Sequence, residues 1–119
     1  MPAKSDPADK LYDRLMQMQQ QAFEAGRFQV SYHLLAAAVH AAEELKRAEL
    51  LDQLAELANS RQEDLDRREP MHAISTASAQ GRGNSALFAT LATTAKATRA
   101  RIAADAAFGR VRDRAQETS

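Results

Sequence analysis

Apolar residues recur every three to four positions along most of this chain, which is the spacing of one face of an α-helix. Alanine, a strong helix former, occurs 26 times, whereas the β-branched residues valine and isoleucine together occur only five times. Four stretches carry the helical spacing: residues 9–25, 29–45, 48–67 and 85–108. The pattern predicts an all-α fold, in which a helical hairpin is extended to a small bundle of about four helices.

The first predicted helix begins near Asp9, which suits the capping position, and ends before Gly26, which suits a left-handed turn. Its main apolar stripe includes Leu11, Leu15 and Met18. Three further apolar residues lie beside this stripe, namely Tyr12, Met16 and Phe23. We expect the stripe to be the packing face of the helix.

The second predicted helix is apolar around most of its circumference, and much of that surface is alanine. Such a helix is usually enclosed by neighbours. The apolar stripe changes phase after Leu45, which favours a turn at Lys46 and Arg47. One continuous helix over residues 28–68 is the alternative.

Proline and glycine residues after the second helix divide the rest of the chain. Pro70 stops the third helix, and a stretch rich in Ser, Ala, Gln and Gly follows. We predict the following parts: a disordered lead-in at 1–8, the hairpin and third helix at 9–69, a linker at 70–84, a C-terminal helix at 85–108 and a frayed tail at 109–119.

Residues 12–45 have the length of one tetratricopeptide repeat. The chain resembles that family in Gly26, followed by an aromatic residue at Phe28, a small residue at Ser31, then Leu35 and Ala38. It departs from the family at Gln19, where a small residue is usual, and the motif does not recur after residue 46. The resemblance implies a partner-binding helical scaffold, with its turn and helix-packing positions at Gly26, Phe28, Leu34, Leu35 and Ala38.

The formal net charge is zero, yet residues 1–80 carry a net −4 and residues 81–119 a net +4. The two halves therefore attract one another, either within one chain or between chains. The basic residues of the last helix form a candidate partner-binding face: Lys96, Arg99, Arg101, Arg110 and Arg112. Nucleic acid is an alternative partner for this face. Phe88 and Phe108 fit core positions better than base-stacking ones.

Two short patterns resemble catalytic or metal chemistry. His33 and His40 share a face of the second helix, but seven residues separate them and helical metal ligands are usually three or four apart. Arg27 followed by His33 resembles the active site of HEPN-superfamily ribonucleases, in which Arg steadies a phosphate and His transfers a proton. Both pairs suit ordinary helix-surface positions, so we predict no catalytic, cofactor or metal residue.

These observations favour a non-enzymatic interaction or adaptor protein that associates with itself, because a core this rich in alanine buries little apolar area. A nucleic-acid-associated regulator is the alternative function, and a HEPN-like ribonuclease is the third. The chain has no cysteine, no secretory signal pattern and no apolar run of membrane-spanning length, so we expect a cytoplasmic protein.

Overall fold

The computed structural model describes residues 7–118, which form five α-helices and no strand. The helices are α1 (Pro7–Glu24), α2 (Phe28–Leu45), α3 (Ala48–Arg68), α4 (Thr76–Gly81) and α5 (Leu87–Thr118). The prediction of an all-α fold is confirmed. Most of the predicted lead-in at 1–8 lies outside the described residues. Asp9 lies in the first turn of α1 and does not cap it, because the helix already begins at Pro7, a residue that the first helical position tolerates.

A tight turn joins α1 to α2 and makes them an antiparallel pair. Gly26 has a φ of +78°, the left-handed conformation that glycine adopts without a Cβ clash. Along the seam the Ser31 hydroxyl donates a 2.9 Å hydrogen bond to the backbone carbonyl of Gln19. The small serine side chain is fully buried there, which lets the two backbones approach closely.

A second turn separates α2 from α3, as the phase shift in the sequence predicted. Lys46 takes a left-handed φ of 55°, and its backbone N–H donates to the carbonyls of Ala42 and Glu43. Leu50, Leu51 and Leu54, in the part of α3 that follows this turn, are buried. The single helix over 28–68 is therefore not formed.

Two helix pairs make up the fold, because α1 packs chiefly on α2 and α5 chiefly on α3. Helix α2 also contacts α3 and α5, so it occupies the middle. Aromatic rings join the two pairs: the ring centroid of Phe23 lies 4.9 Å from that of Phe28 and 6.2 Å from that of Phe88. The Arg61 guanidinium lies 4.5 Å from the Phe23 ring centroid, which adds a cation–π contact.

The predicted linker contains the short helix α4. Ser75 caps it, since its side chain accepts a hydrogen bond from the Ser78 backbone N–H. Asp66 of α3 accepts two more bonds, from the Thr76 backbone N–H at 2.8 Å and from the Thr76 hydroxyl at 2.5 Å. These bonds hold the connection between α3 and α5 against the bundle.

Helix α5 is longer than the sequence predicted. It continues through Gly109 to Thr118, where the predicted helix ended at 108 and a frayed tail followed. One glycine costs a helix only about 1 kcal/mol relative to alanine. The alanines and arginines around Gly109 are good helix formers, and they carry the helix onward.

Candidate interaction surface on α5

The first half of α5 packs against the bundle as its spacing predicted. Phe88, Leu91, Ala95 and Thr98 are buried, and Ile102 is half-buried at the edge of the core. The buried backbone N–H of Phe88 donates to the side-chain carbonyl of Gln62 in α3. This half of the helix therefore has a fixed position on α3.

Beyond Ile102 the large apolar residues of α5 change sides. The positions that continue the core-facing direction are Ala106, Gly109 and Asp113, none of which bears a large apolar side chain. Asp105 lies to one side of this direction. We call the apolar residues of the other side the outer stripe: Ala100, Ala104, Ala107, Phe108 and Val111. At about 100° per residue, the centre of the outer stripe lies about 180° around the helix from the core-facing residues. The outer stripe therefore points away from the bundle to which α5 belongs.

Every member of the outer stripe is exposed. The fractional exposure is 70% for Phe108 and 65% for Val111. The prediction that Phe108 belongs to the core is therefore wrong. The core ends near Ile102, and α5 continues for about another 24 Å at 1.5 Å per residue.

The basic residues of the last helix divide into two groups. Arg99 forms a 3.1 Å ion pair with Asp52 of α3, and Arg101 forms a 2.8 Å ion pair with Glu43 of α2. These contacts join the basic half to the acidic half within one chain. The other predicted basic residues are exposed on α5, namely Lys96, Arg110 and Arg112.

A shallow cleft of about 430 Å³ lies where α5 passes the end of α2. Its walls include Lys46, Ile102 and Asp105, together with the ion pair between Arg101 and Glu43. The cleft contains both acidic and basic side chains close to one another, so it does not favour a ligand of either charge.

A second exposed apolar stripe lies on α1. Leu11 is 52% exposed and Met18 is 50% exposed, whereas Tyr12 and Phe23 of the same helix are buried. The prediction that Leu11 and Met18 lead the packing face is therefore wrong. Helix α1 is rotated so that the residues beside the stripe, together with Leu15 of the stripe, pack against the core, because the aromatic rings bury more area there.

The residues that carry the tetratricopeptide resemblance lie in and beside the turn between α1 and α2. Gly26 makes the turn, and Phe28, Leu35 and Ala38 are buried behind it. Leu34 is half-buried. These positions pack the hairpin together and do not form an open binding groove.

The residues considered for chemistry do not converge. Arg27 and His33 are both exposed; Arg27 is the N-cap residue just before α2, and six positions place the two Cα atoms about 120° apart around the helix axis. His33 lies edge-on to Tyr32, with ring centroids 5.1 Å apart. His40 lies 4.0 Å from Glu43, which Arg101 also contacts. Within residues 7–118 no group of three potential metal-binding side chains occurs.

The spacing of apolar residues in the sequence indicates the outer stripe, but only the fold shows that this stripe is exposed. Ala104, Phe108 and Val111 repeat at intervals of four and three residues, out of phase with Leu91, Ala95 and Ile102 of the same helix. Two apolar phases on one helix indicate two packing partners.

Comparisons with known protein families, with curated proteins and with solved structures gave no match to this chain. None of the helices in the described part of the chain has a stretch long and apolar enough to cross a membrane. The candidate function therefore depends on the surfaces described above.

Proposed function

We propose that this chain is a non-enzymatic protein-interaction module, and that the C-terminal part of α5 is its binding element. The outer stripe is the observation that carries the proposal. An apolar stripe on a helix end that projects beyond its own bundle is the geometry by which amphipathic helices bind partner proteins.

The energetics of α5 support the same function. Most helical stability in water comes from packing one face against a neighbour, and the part of α5 beyond Ile102 has its apolar face turned outward. A partner that covers Phe108 and Val111 removes their apolar surface from water and stabilises the helix at the same time. Binding and ordering of this segment are therefore coupled.

The alternative functions have weaker support. A nucleic-acid-associated regulator needs a cluster of free cations, and two of the five predicted basic residues, Arg99 and Arg101, already contact Asp52 and Glu43. A HEPN-like ribonuclease needs Arg27 and His33 on one cleft, whereas Arg27 lies at the N-terminus of α2, about 120° around the helix axis from His33.

Photocrosslinking in the cells that make the protein tests the proposal. A photoreactive benzoylphenylalanine at Ala104 lies on the outer stripe. The matched control is the same amino acid at Ala77, an exposed alanine of α4. Irradiation is expected to give a discrete protein adduct at position 104 with a yield at least roughly fivefold above that at 77.

A second variant tests whether the adduct forms through the outer stripe. Val111→Asp, added to the chain labelled at 104, places a charge in the apolar contact and is expected to remove most of the adduct. Equal yields at positions 104 and 77, or an adduct indifferent to Val111→Asp, would show that the outer stripe binds no protein.

A further inference from the structure

The outer stripe is complementary to itself. We infer that its partner is a second copy of this chain, and that two α5 helices pair antiparallel about a two-fold axis near Gly109. The inference rests on the proposed function, since it names the occupant of the same surface. Its support comes from the order of apolar and charged residues along α5.

Antiparallel pairing about this axis brings the large apolar residues of the two copies together near the axis. Alanines of the outer stripe then lie toward the ends of the contact between the two α5 helices. Phe108 of one copy lies beside Val111 of the second copy, and the two-fold axis repeats the contact. Ala104 lies farther from the axis, where its small side chain lets the helix backbones approach closely. The paired segment covers the exposed apolar surface of both Phe108 and Val111.

The charges beside the seam also match. Asp105 and Arg112 lie seven residues apart on the same edge of the outer stripe, one on each side of the two-fold axis. Antiparallel pairing brings Asp105 of each copy to Arg112 of the other, so two ion pairs form across the interface. Arg110 lies about 120° around the helix from the centre of the outer stripe, so its charge stays outside the contact between the two helices.

Parallel pairing lacks these contacts. In a parallel pair the residues that flank Asp105 and Arg112 across the seam are Ala100 and Ala107, so neither charge meets its opposite. Antiparallel helix dipoles are also favourable, because each N-terminus then lies beside a C-terminus. The charge order therefore selects the antiparallel arrangement.

The size of the paired segment sets the expected affinity. About 15 residues of each helix overlap, which is a small interface compared with that of a permanent dimer. The dissociation constant is therefore expected in the micromolar range, and dimer formation depends on concentration. Sedimentation equilibrium of the full chain over about 1–300 µM covers this range.

The absence of cysteine from the chain allows a direct test of the arrangement. Ala104→Cys and Ala115→Cys chains are mixed and oxidised; Ala115 is exposed on the same side of α5. An antiparallel pair links position 104 of one copy to position 115 of the other, whereas Ala104→Cys alone stays unlinked because its two copies lie about 10 Å or more apart along the axis. Parallel pairing gives the reverse result, with each single variant linking to itself.

Charge exchange supplies the second test. Asp105→Arg and Arg112→Asp are each expected to weaken self-association roughly tenfold, since each places like charges together at two points of the dimer. An equimolar mixture of the two variants restores opposite charges at both points, so a heterodimer forms with about the wild-type affinity. Arg112 stands clear of the cleft that Asp105 borders, so Arg112→Asp separates dimer contacts from the contacts of Asp105 within its own chain.

The outcomes separate this inference from the proposed function. Concentration-dependent dimers, linkage of 104 to 115 and recovery in the mixed sample support it. A monomer at every concentration overturns it, as does linkage of Ala104→Cys to itself or a mixture that stays monomeric. If the photocrosslink at 104 instead captures a different protein or a nucleic acid, the second-copy inference fails. A different protein still leaves the outer stripe as an interaction surface.

Discussion

The side-chain carbonyl of Gln62 in α3 accepts a hydrogen bond from the backbone N–H of Phe88 in the first turn of α5, at a donor–acceptor distance of 3.2 Å. The amide nitrogen of the same side chain donates to the Ile74 carbonyl at 3.3 Å. Gln62 is only 5% exposed, so these backbone groups have little access to water. One side chain thus joins α3 to both the linker and α5.

Replacing Gln62 is therefore expected to destabilise the whole fold. Gln62→Ala leaves the Phe88 N–H and the Ile74 carbonyl without this partner and opens a cavity. We expect a loss of about 2–3 kcal/mol in the free energy of unfolding, measured by urea denaturation with circular dichroism. Gln53→Ala, at an exposed position of the same helix, is the control and should change the free energy by less than about 0.5 kcal/mol. Equal losses in the two variants would contradict the bridging role of Gln62.

The carboxyl of Asp66 makes the free energy of unfolding depend on pH. Burial disfavours its charged form, but hydrogen bonds from the Thr76 hydroxyl, the Thr76 N–H and Gln62 outweigh this effect and lower the pKa of the carboxyl below its ordinary value. Because the folded state holds the proton less tightly than the unfolded state, the stabilisation is complete above the ordinary pKa. It is lost as the pH falls through the lowered pKa.

Asp66→Asn is expected to lower the free energy of unfolding by about 1–2 kcal/mol at neutral pH, because charge-assisted bonds become neutral ones. The difference from wild type should shrink as the pH falls below about 4, where the wild-type carboxyl also takes up a proton. Urea titrations at a series of pH values measure both effects. Glu63→Gln, exposed on the same helix, is the control, and an unchanged gap between wild type and Asp66→Asn at low pH would refute the argument.

Local signals in the sequence predicted the elements well. The change of apolar phase after Leu45 indicated the turn at Lys46, and Gly26 marked the turn between α1 and α2. Both features depend on a few neighbouring residues, so a single sequence contains them. The helix α4 was not predicted, because its support includes Asp66, ten residues earlier in the chain.

The outer stripe was harder to predict from the sequence than the helices and turns. The apolar spacing of Phe108 and Val111 shows that one face of α5 avoids water, but not whether that face meets the bundle of its own chain. The answer depends on where α2 and α3 end relative to α5, which is a property of the folded packing. For the same reason Leu11 and Met18 gave the wrong packing face for α1: periodicity alone does not say which of two adjacent stripes meets α2.

Gln19 contains a buried polar atom whose removal should stabilise the fold. The residue is 1% exposed; its amide nitrogen donates to the Met16 carbonyl, while its side-chain carbonyl has no hydrogen-bond partner. Gln19→Met keeps an unbranched side chain of similar size and removes the unpaired oxygen. We expect a gain of about 1 kcal/mol in the free energy of unfolding, read from the urea midpoint. Gln17→Met, exposed on the same helix, should give no comparable gain, and a loss at position 19 would contradict the expectation.

Gly26 and Gly109 should respond in opposite ways to the same substitution. A Cβ at either position meets no atom within 4 Å, so the backbone conformation alone decides the effect. Gly26 has a φ of +78°, and Gly26→Ala is expected to lower the free energy of unfolding by about 1 kcal/mol or more. Gly109 lies inside α5, and Gly109→Ala should favour the helical state of the segment around it by about 1 kcal/mol.

Different measurements are needed for the two glycines, because the end of α5 projects beyond the core and contributes little to global unfolding. Urea denaturation measures the loss at Gly26. At Gly109 the gain should appear as slower amide hydrogen exchange over residues 104–113 and a larger helical signal at 222 nm, with the urea midpoint nearly unchanged. If α5 instead ends near Phe108, Gly109→Ala leaves the exchange of these amides as fast as in the wild type. The outer stripe would then lose Val111 and the rigid helix on which its binding geometry depends.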